Sequence, residues 1–198
     1  MIPVNVFTGF LGAGKTTAIA DLLRRKPAGE KWAVLQNEFG DVSLESADES
    51  DGIAIREIGG GCVCCAAAPF FPVALHLLMI EANPDRLLIE ASGLGHPARL
   101  LDTLRENYAD RLDVRATVNF VDPTVFPSML ENGVFRDQVA LADVLPYKTD
   151  DASPETLERF RDWANTLRPE KALIAATTFG RLELDWLDLA ADPTREPN

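Results

Sequence analysis

The sequence predicts an α/β fold: a doubly wound, mostly parallel sheet with helices on both faces. Short apolar runs alternate with segments of helical period along the chain. Strands separated by helices demand crossover connections, which lay helices over a parallel sheet. The chain has 198 residues, 46% of them hydrophobic, enough for a full core in one domain without disulfide staples.

The elements follow in order. Met1–Thr8, rich in Val, Ile and Phe, reads as a first strand. Thr16–Lys26 reads as a helix with Ile19, Leu22 and Leu23 inward, closed by Pro27. Trp32–Gln36 is a buried strand, Asn37–Gly52 is polar and irregular, and Ile53–Ile58 alternates like a strand before the Gly59–Gly61 break. Pro69–Ala82 is helical, with Pro69 at its start and Asn83-Pro84 ending it. Arg86–Glu90 is a buried strand, and Pro97–Tyr108 a helix with Leu100, Leu101 and Leu104 as its stripe. Thr117–Val121 reads as a strand, and so does Ala142–Tyr147, although Pro146 interrupts it. Ser153–Thr166 is a helix capped by Ser153 with Pro154 in its first turn. Lys171–Ala175 is a last strand and Leu184–Leu189 a short final element. In such a fold, function sits at the C-terminal ends of the strands.

Charge narrows the function. With 31 acidic against 19 basic side chains the formal charge is −12, which argues against nucleic-acid binding and against charge-driven membrane docking. No apolar run is long enough to span a bilayer, and Met1 leads directly into a strand without a basic leader, so the expected location is the cytoplasm.

Gly9–Thr16 (Gly-Phe-Leu-Gly-Ala-Gly-Lys-Thr) follows a predicted strand and opens a predicted helix, the context a P-loop requires. Its glycines let backbone N–H groups curl around phosphates, and the helix N-terminus adds its dipole. Gly12, Ala13, Gly14, Lys15, Thr16 and Thr17 are the expected phosphate-binding residues, with Lys15 on the β- and γ-phosphates and Thr16 on Mg²⁺. Leu87–Gly93 is an apolar strand ending in an acid, with a glycine three residues on. Beside a P-loop, Glu90 can hold Mg²⁺ or orient the attacking water, and Gly93 can offer a backbone N–H to the γ-phosphate. Ala142–Asp150 resembles the guanine-reading loop of GTPases: Asp150 would accept from the guanine N1–H and amine, and Lys148 would lay its stem across the base. Tyr147 stands where that loop usually carries Asn.

Cys62, Cys64 and Cys65 are the only cysteines. Three thiols within four positions after three glycines make no disulfide framework; as thiolates they suit zinc, Cu(I) or another thiophilic ion. Disulfide redox chemistry is the rival reading of the same residues. His76 reads as a surface or packed histidine, and His96 as a nucleotide sensor or an added metal ligand. Trp32, Trp163 and Trp186 read as packing residues, and the acidic Asp48, Glu49 and Asp51 as a solvated loop.

Taken with Asn37–Asp41 (Asn-Glu-Phe-Gly-Asp) and Glu90–Leu94, the P-loop and the Gly61–Cys65 motif resemble the CobW-like metallochaperone GTPases, relatives of the urease and hydrogenase nickel-insertion GTPases. The resemblance continues through Thr178–Leu187 and so covers nearly the whole chain. It implies a slow GTPase that uses GTP and Mg²⁺, binds zinc or cobalt through Cys62, Cys64 and Cys65, and delivers it to a client metalloenzyme. Lys15, Glu90 and Gly93 become its catalytic residues, and Glu38 and Asp41 of the switch-like segment join His96 as candidate metal or switch residues. Gln36 stands where some relatives carry an acid able to join the metal site. The expected organisation is a GTPase domain over 1–190 and a tail over 191–198, without the family's usual C-terminal domain; a nucleotide-dependent homodimer is plausible from related GTPases. The rival functions are a P-loop small-molecule kinase and a non-enzymatic metal-binding protein with a vestigial nucleotide site.

Overall fold

The computed structural model describes residues 1–37, 51–58, 70–93 and 96–197. Its strands are β1 (Ile2–Gly9), β2 (Trp32–Asn37), β3 (Ile53–Ile58), β4 (Arg86–Glu90), β5 (Leu112–Val114), β6 (Val118–Phe120), β7 (Val144–Lys148) and β8 (Leu173–Thr177). The helices are α1 (Lys15–Arg25), α2 (Phe71–Ala82), α3 (Ala98–Asn107), the single turn α4 (Phe126–Met129), α5 (Gly133–Leu141) and α6 (Pro154–Asn165), with a 3₁₀ turn at Leu184–Asp188. The sheet runs β3-β2-β4-β1-β6-β7-β8, with β5 also paired to the start of β1, and every strand pair is parallel. The predicted doubly wound architecture is therefore the observed one.

Each central strand feeds two cores, because successive side chains point to opposite faces. Val4, Val6, Leu87 and Ile89 pack under α2 and α3, while Phe7 and Leu88 pack under α1 with Ile19, Leu22 and Leu23. A third cluster joins α5 and α6 to β7 through Phe135, Leu145, Tyr147 and Phe160. After β1 the chain winds toward β2, and after β6 toward β7, so the loops leaving these two neighbours diverge. That divergence opens the crevice where α/β proteins bind ligands.

Three elements escape the sequence patterns. β5 and α4 are too short to show a period. In α5 the buried Gln138 interrupts the apolar stripe. Its start signal is nonetheless present, since the Asn132 side chain caps the helix by accepting from the Phe135 N–H at 3.2 Å. Pro146 lies inside the sheet in β7, and the ladder accommodates it. Val144 N–H donates to Thr117 and Lys148 N–H to Val121, so only the slot between them lacks a donor. The Pro146 carbonyl still accepts from Val121 at 3.0 Å.

Candidate functional site

The phosphate-binding loop connects the centre of the sheet to α1. Gly9 ends β1 at φ +128°, and a Cβ there would lie 2.5 Å from the Phe120 carbonyl oxygen of β6. Only glycine lets the two strands approach so closely. Gly14, at φ +105°, delivers the chain into α1, which has no side-chain cap and no acid in its first turn. The first N–H groups of α1 are thus left for an anion, assisted by the helix dipole. Ala13 is buried in the loop, and Thr17 is exposed on the first helical turn.

Lys15, 7% exposed, folds back over this loop and donates to the carbonyls of Gly9 at 2.7 Å and Phe10 at 3.1 Å. Burial lowers its pKa, and the Glu90 charge partly opposes that shift. Thr16 donates through Oγ1 to Glu90 Oε1 at 2.7 Å, linking α1 to the end of β4. Glu90 is 5% exposed, and its Oε2 has no hydrogen-bond partner among the described residues. Burial raises its pKa, against the opposing effects of the Thr16 hydroxyl and Lys15. A buried carboxylate with one oxygen unpartnered is costly unless something positive or protic meets it. A hydroxyl and a carboxylate at the mouth of a phosphate loop form a hard-oxygen donor set that fits a divalent cation such as Mg²⁺.

Gln36 is the register partner of Glu90 across β2 and β4, so both side chains lie on the face that carries α1. It is 2% exposed and its Oε1 is also unpartnered. Gly93 sits against the phosphate loop so tightly that a Cβ would approach the Leu11 amide nitrogen to 2.8 Å. His96, on the same segment, pairs through Nδ1 with Asp137 at 2.7 Å.

The predicted base-reading residues reach the same end of the sheet through β7 and β8. Asp150 accepts the Phe179 N–H at 3.0 and 3.2 Å, while the Lys148 ammonium lies on Asp151 at 2.5 Å. Thr149 Oγ1 donates to the Thr177 carbonyl at 3.1 Å. Tyr147 points down into the α5–α6 core, with its ring 4.9 Å from that of Phe160, so it is a packing residue rather than a loop tie. Thr149 and Asp150, bonded to the β8 end and the loop after it, hold the segment after β7 instead.

Sequence reasoning passed over Phe179 as a site residue. It is 76% exposed at φ +50°, a sparsely populated conformation for a bulky side chain. The following Gly180 packs on α1, where a Cβ would lie 3.0 Å from the Ala18 nitrogen, so this loop ties Asp150 to the helix after the phosphate loop. The available signal was the Thr178-Phe179-Gly180 run at the head of the stretch that carries the family resemblance.

Glu38, Asp41, Cys62, Cys64 and Cys65 lie outside the described residues, among which no group of three His, Cys, Asp or Glu side chains could hold a metal ion. His76 is exposed, Trp32 is buried, and Trp163 stacks in the α5–α6 aromatic cluster. No described helix is long and apolar enough to cross a membrane.

Known proteins resemble this arrangement throughout. The chain is 41% identical over 194 residues to the zinc chaperone YeiR of Escherichia coli (strain K12), covering 96% of this chain and 59% of YeiR. It is 33% identical over 205 residues to the zinc-regulated GTPase metalloprotein activator 1 of Schizosaccharomyces pombe, covering 96% of this chain and 49% of that protein. The chain therefore spans about half to three fifths of these relatives. Among solved structures, Zn(II)-bound YjiA GTPase from Escherichia coli superposes with a TM-score of 0.68 at 25% identity, over 94% of this chain and 60% of that one. Residues 3–175 match the nucleotide-binding domain model of CobW/HypB/UreG, and the chain belongs to that family.

Proposed function

We propose that this chain is a GTP-hydrolysing metallochaperone module that binds zinc or cobalt through Cys62, Cys64 and Cys65 and couples nucleotide state to metal delivery. The observation that carries the reading is the Thr16–Glu90 pair at 2.7 Å, with Glu90 Oε2 unpartnered at the mouth of a phosphate loop. The names of its relatives, a zinc chaperone and a zinc-regulated GTPase metalloprotein activator, support zinc as the cargo.

In this reading Lys15 exchanges the Gly9 and Phe10 carbonyls for β- and γ-phosphate oxygens, an anionic partner that restores the charge its burial disfavours. Thr16 and Glu90 would hold Mg²⁺, which supplies positive charge against the phosphates when bound. The same acid orients the attacking water, and the Gly93 N–H meets the γ-phosphate. Asp150 accepts the guanine N1–H and amine, and Lys148 lies along the base once released from Asp151. The metal is cargo on thiolates that lie in sequence between the switch-like Asn37–Asp41 and the β4 acid. A change of nucleotide can thereby alter how those ligands are presented, before transfer to a client metalloenzyme.

The test is paired. GTP hydrolysis should be measurable in the wild-type chain and lost in Lys15→Ala. Zinc and cobalt binding should be lost in Cys64→Ala and in Cys65→Ala while GTP binding persists. Metal binding with no hydrolysis above the Lys15→Ala control would instead identify a metal-binding protein with a vestigial nucleotide site. Rapid phosphorylation of a small acceptor without metal affinity would identify a kinase.

A further inference from the structure

α5 is fixed at both ends and touches the phosphate loop. Asn132 caps its start, and Lys171 Nζ donates to the Val139 and Ala140 carbonyls at its end, at 2.6 and 3.1 Å. Phe135 sets its ring 6.2 Å from that of Phe10, a residue of the phosphate loop, and 5.9 Å from that of Trp163. Two consecutive residues on this post reach the segment after β4. Gln138, fully buried, donates through Nε2 to the Gly93 carbonyl at 3.2 Å. Asp137 takes the His96 ring nitrogen at 2.7 Å. Together they grip both described ends of the stretch from 93 to 96.

The grip has a geometric consequence. Gly93 already abuts the Leu11 amide on one side, and Gln138 pins its carbonyl on the other. A buried amide donating to a loop carbonyl fixes the orientation of that peptide, because breaking the bond strands the fully buried Gln138 amide away from water. Supporting contacts of this kind hold reacting groups to within a fraction of an ångström, and small misplacements cost rate.

We propose that Gln138 and Asp137 are positioning residues for GTP hydrolysis: they pin the peptide that follows Gly93 and thereby, through the Gly93 Cα, set the direction in which the Gly93 N–H is offered to the γ-phosphate. The proposal rests on the GTPase reading above and assigns it a support that the phosphate-loop motifs do not contain. GDP has no γ-phosphate, so its binding should be insensitive to the grip.

The experiment compares wild type, Gln138→Met and Asp137→Ala by single-turnover GTP hydrolysis, GTP and GDP affinity, and thermal melting. Gln138→Met keeps the volume and removes the donor. Its hydrolysis rate should fall about tenfold, with GDP affinity within about twofold of wild type. Asp137→Ala, at the more exposed end of the grip, should lose about threefold in rate with the same split. If Gln138→Met does not fold, Asp137→Ala decides alone. A rate that stays level or rises, or a parallel loss of GTP and GDP affinity with the rate per bound GTP unchanged, assigns these residues to packing and overturns the proposal. Failure of the wild-type chain to bind GTP would overturn the GTPase reading beneath it, a result visible before any variant is made.

Discussion

Two buried carboxylates in this sheet have opposite fates. Asp143, 1% exposed just before β7, accepts from the Thr117 N–H at 2.9 Å, the Asp192 N–H at 3.0 Å and Arg195 Nε at 2.7 Å. Glu90, 5% exposed at the end of β4, accepts one bond from Thr16, and its second oxygen has no partner among the described residues. Burial is nearly equal, so burial alone does not mark a functional acid. The difference is satisfaction. Asp143 completes its own surroundings and pins Arg195 across the foot of the sheet, whereas Glu90 is complete only when something else arrives.

Removing each acid in turn separates the two cases. Asp143→Ala takes from the buried Arg195 guanidinium its hydrogen-bonded carboxylate, leaving only the partly exposed Asp192 at 3.7 Å, and should cost about 3 kcal/mol of unfolding free energy, read from denaturant midpoints. Glu90→Gln should act in the opposite direction. It removes a charge that burial disfavours, so the nucleotide-free protein should gain about 1 kcal/mol while hydrolysis is lost. The pH dependence follows the same logic. Burial raises the Glu90 pKa above its unfolded value, so its contribution is full below the ordinary carboxylate range and is lost as pH rises through the raised value. Melting of the nucleotide-free wild type across weakly acid pH should therefore decline relative to Glu90→Gln as pH rises. A Glu90→Gln variant as unstable as Asp143→Ala would erase the distinction.

The last effect, read only as a slope with pH, belongs to Lys171, on the satisfied side of the comparison. Burial, with Arg195 adding to it, lowers its pKa from 10.5 to about 8, against the opposing charges of Asp143 and Asp192. The unfolded chain then binds more protons than the folded one between those values, so this group makes stability rise with pH from about 8 to 10.5. Its two carbonyl bonds survive deprotonation, because a neutral amine keeps two N–H donors. In Lys171→Met the rise in melting temperature over that range should be reduced.

What the sequence made legible follows from physical range. β1 and α1 are long, β4 is an unbroken apolar run, all three are punctuated by glycine and proline, and the Lys15–Thr16–Glu90 set sits where strand, loop and helix order places it. The Asp143–Arg195 pair joins residues 52 positions apart through three-dimensional packing, and no spacing rule announces it. Gln138 was hidden for a related reason: a polar residue in the buried stripe of α5 weakens the helical pattern that would have drawn attention to it. Tyr147 departs from the usual Asn of the predicted base-reading loop, and sequence does not say which face of β7 it takes; the fold packs it into the aromatic core.

Under the proposed function nucleotide state and metal affinity are coupled, and linkage requires the coupling to be reciprocal. Zinc titrations of the same protein loaded with a non-hydrolysable GTP analogue and with GDP measure it directly. The expected result is a difference in zinc dissociation constant of about fivefold or more between the two states, matched by an equal effect of zinc on the ratio of GTP-analogue to GDP affinity. Equal zinc dissociation constants in both states would contradict it.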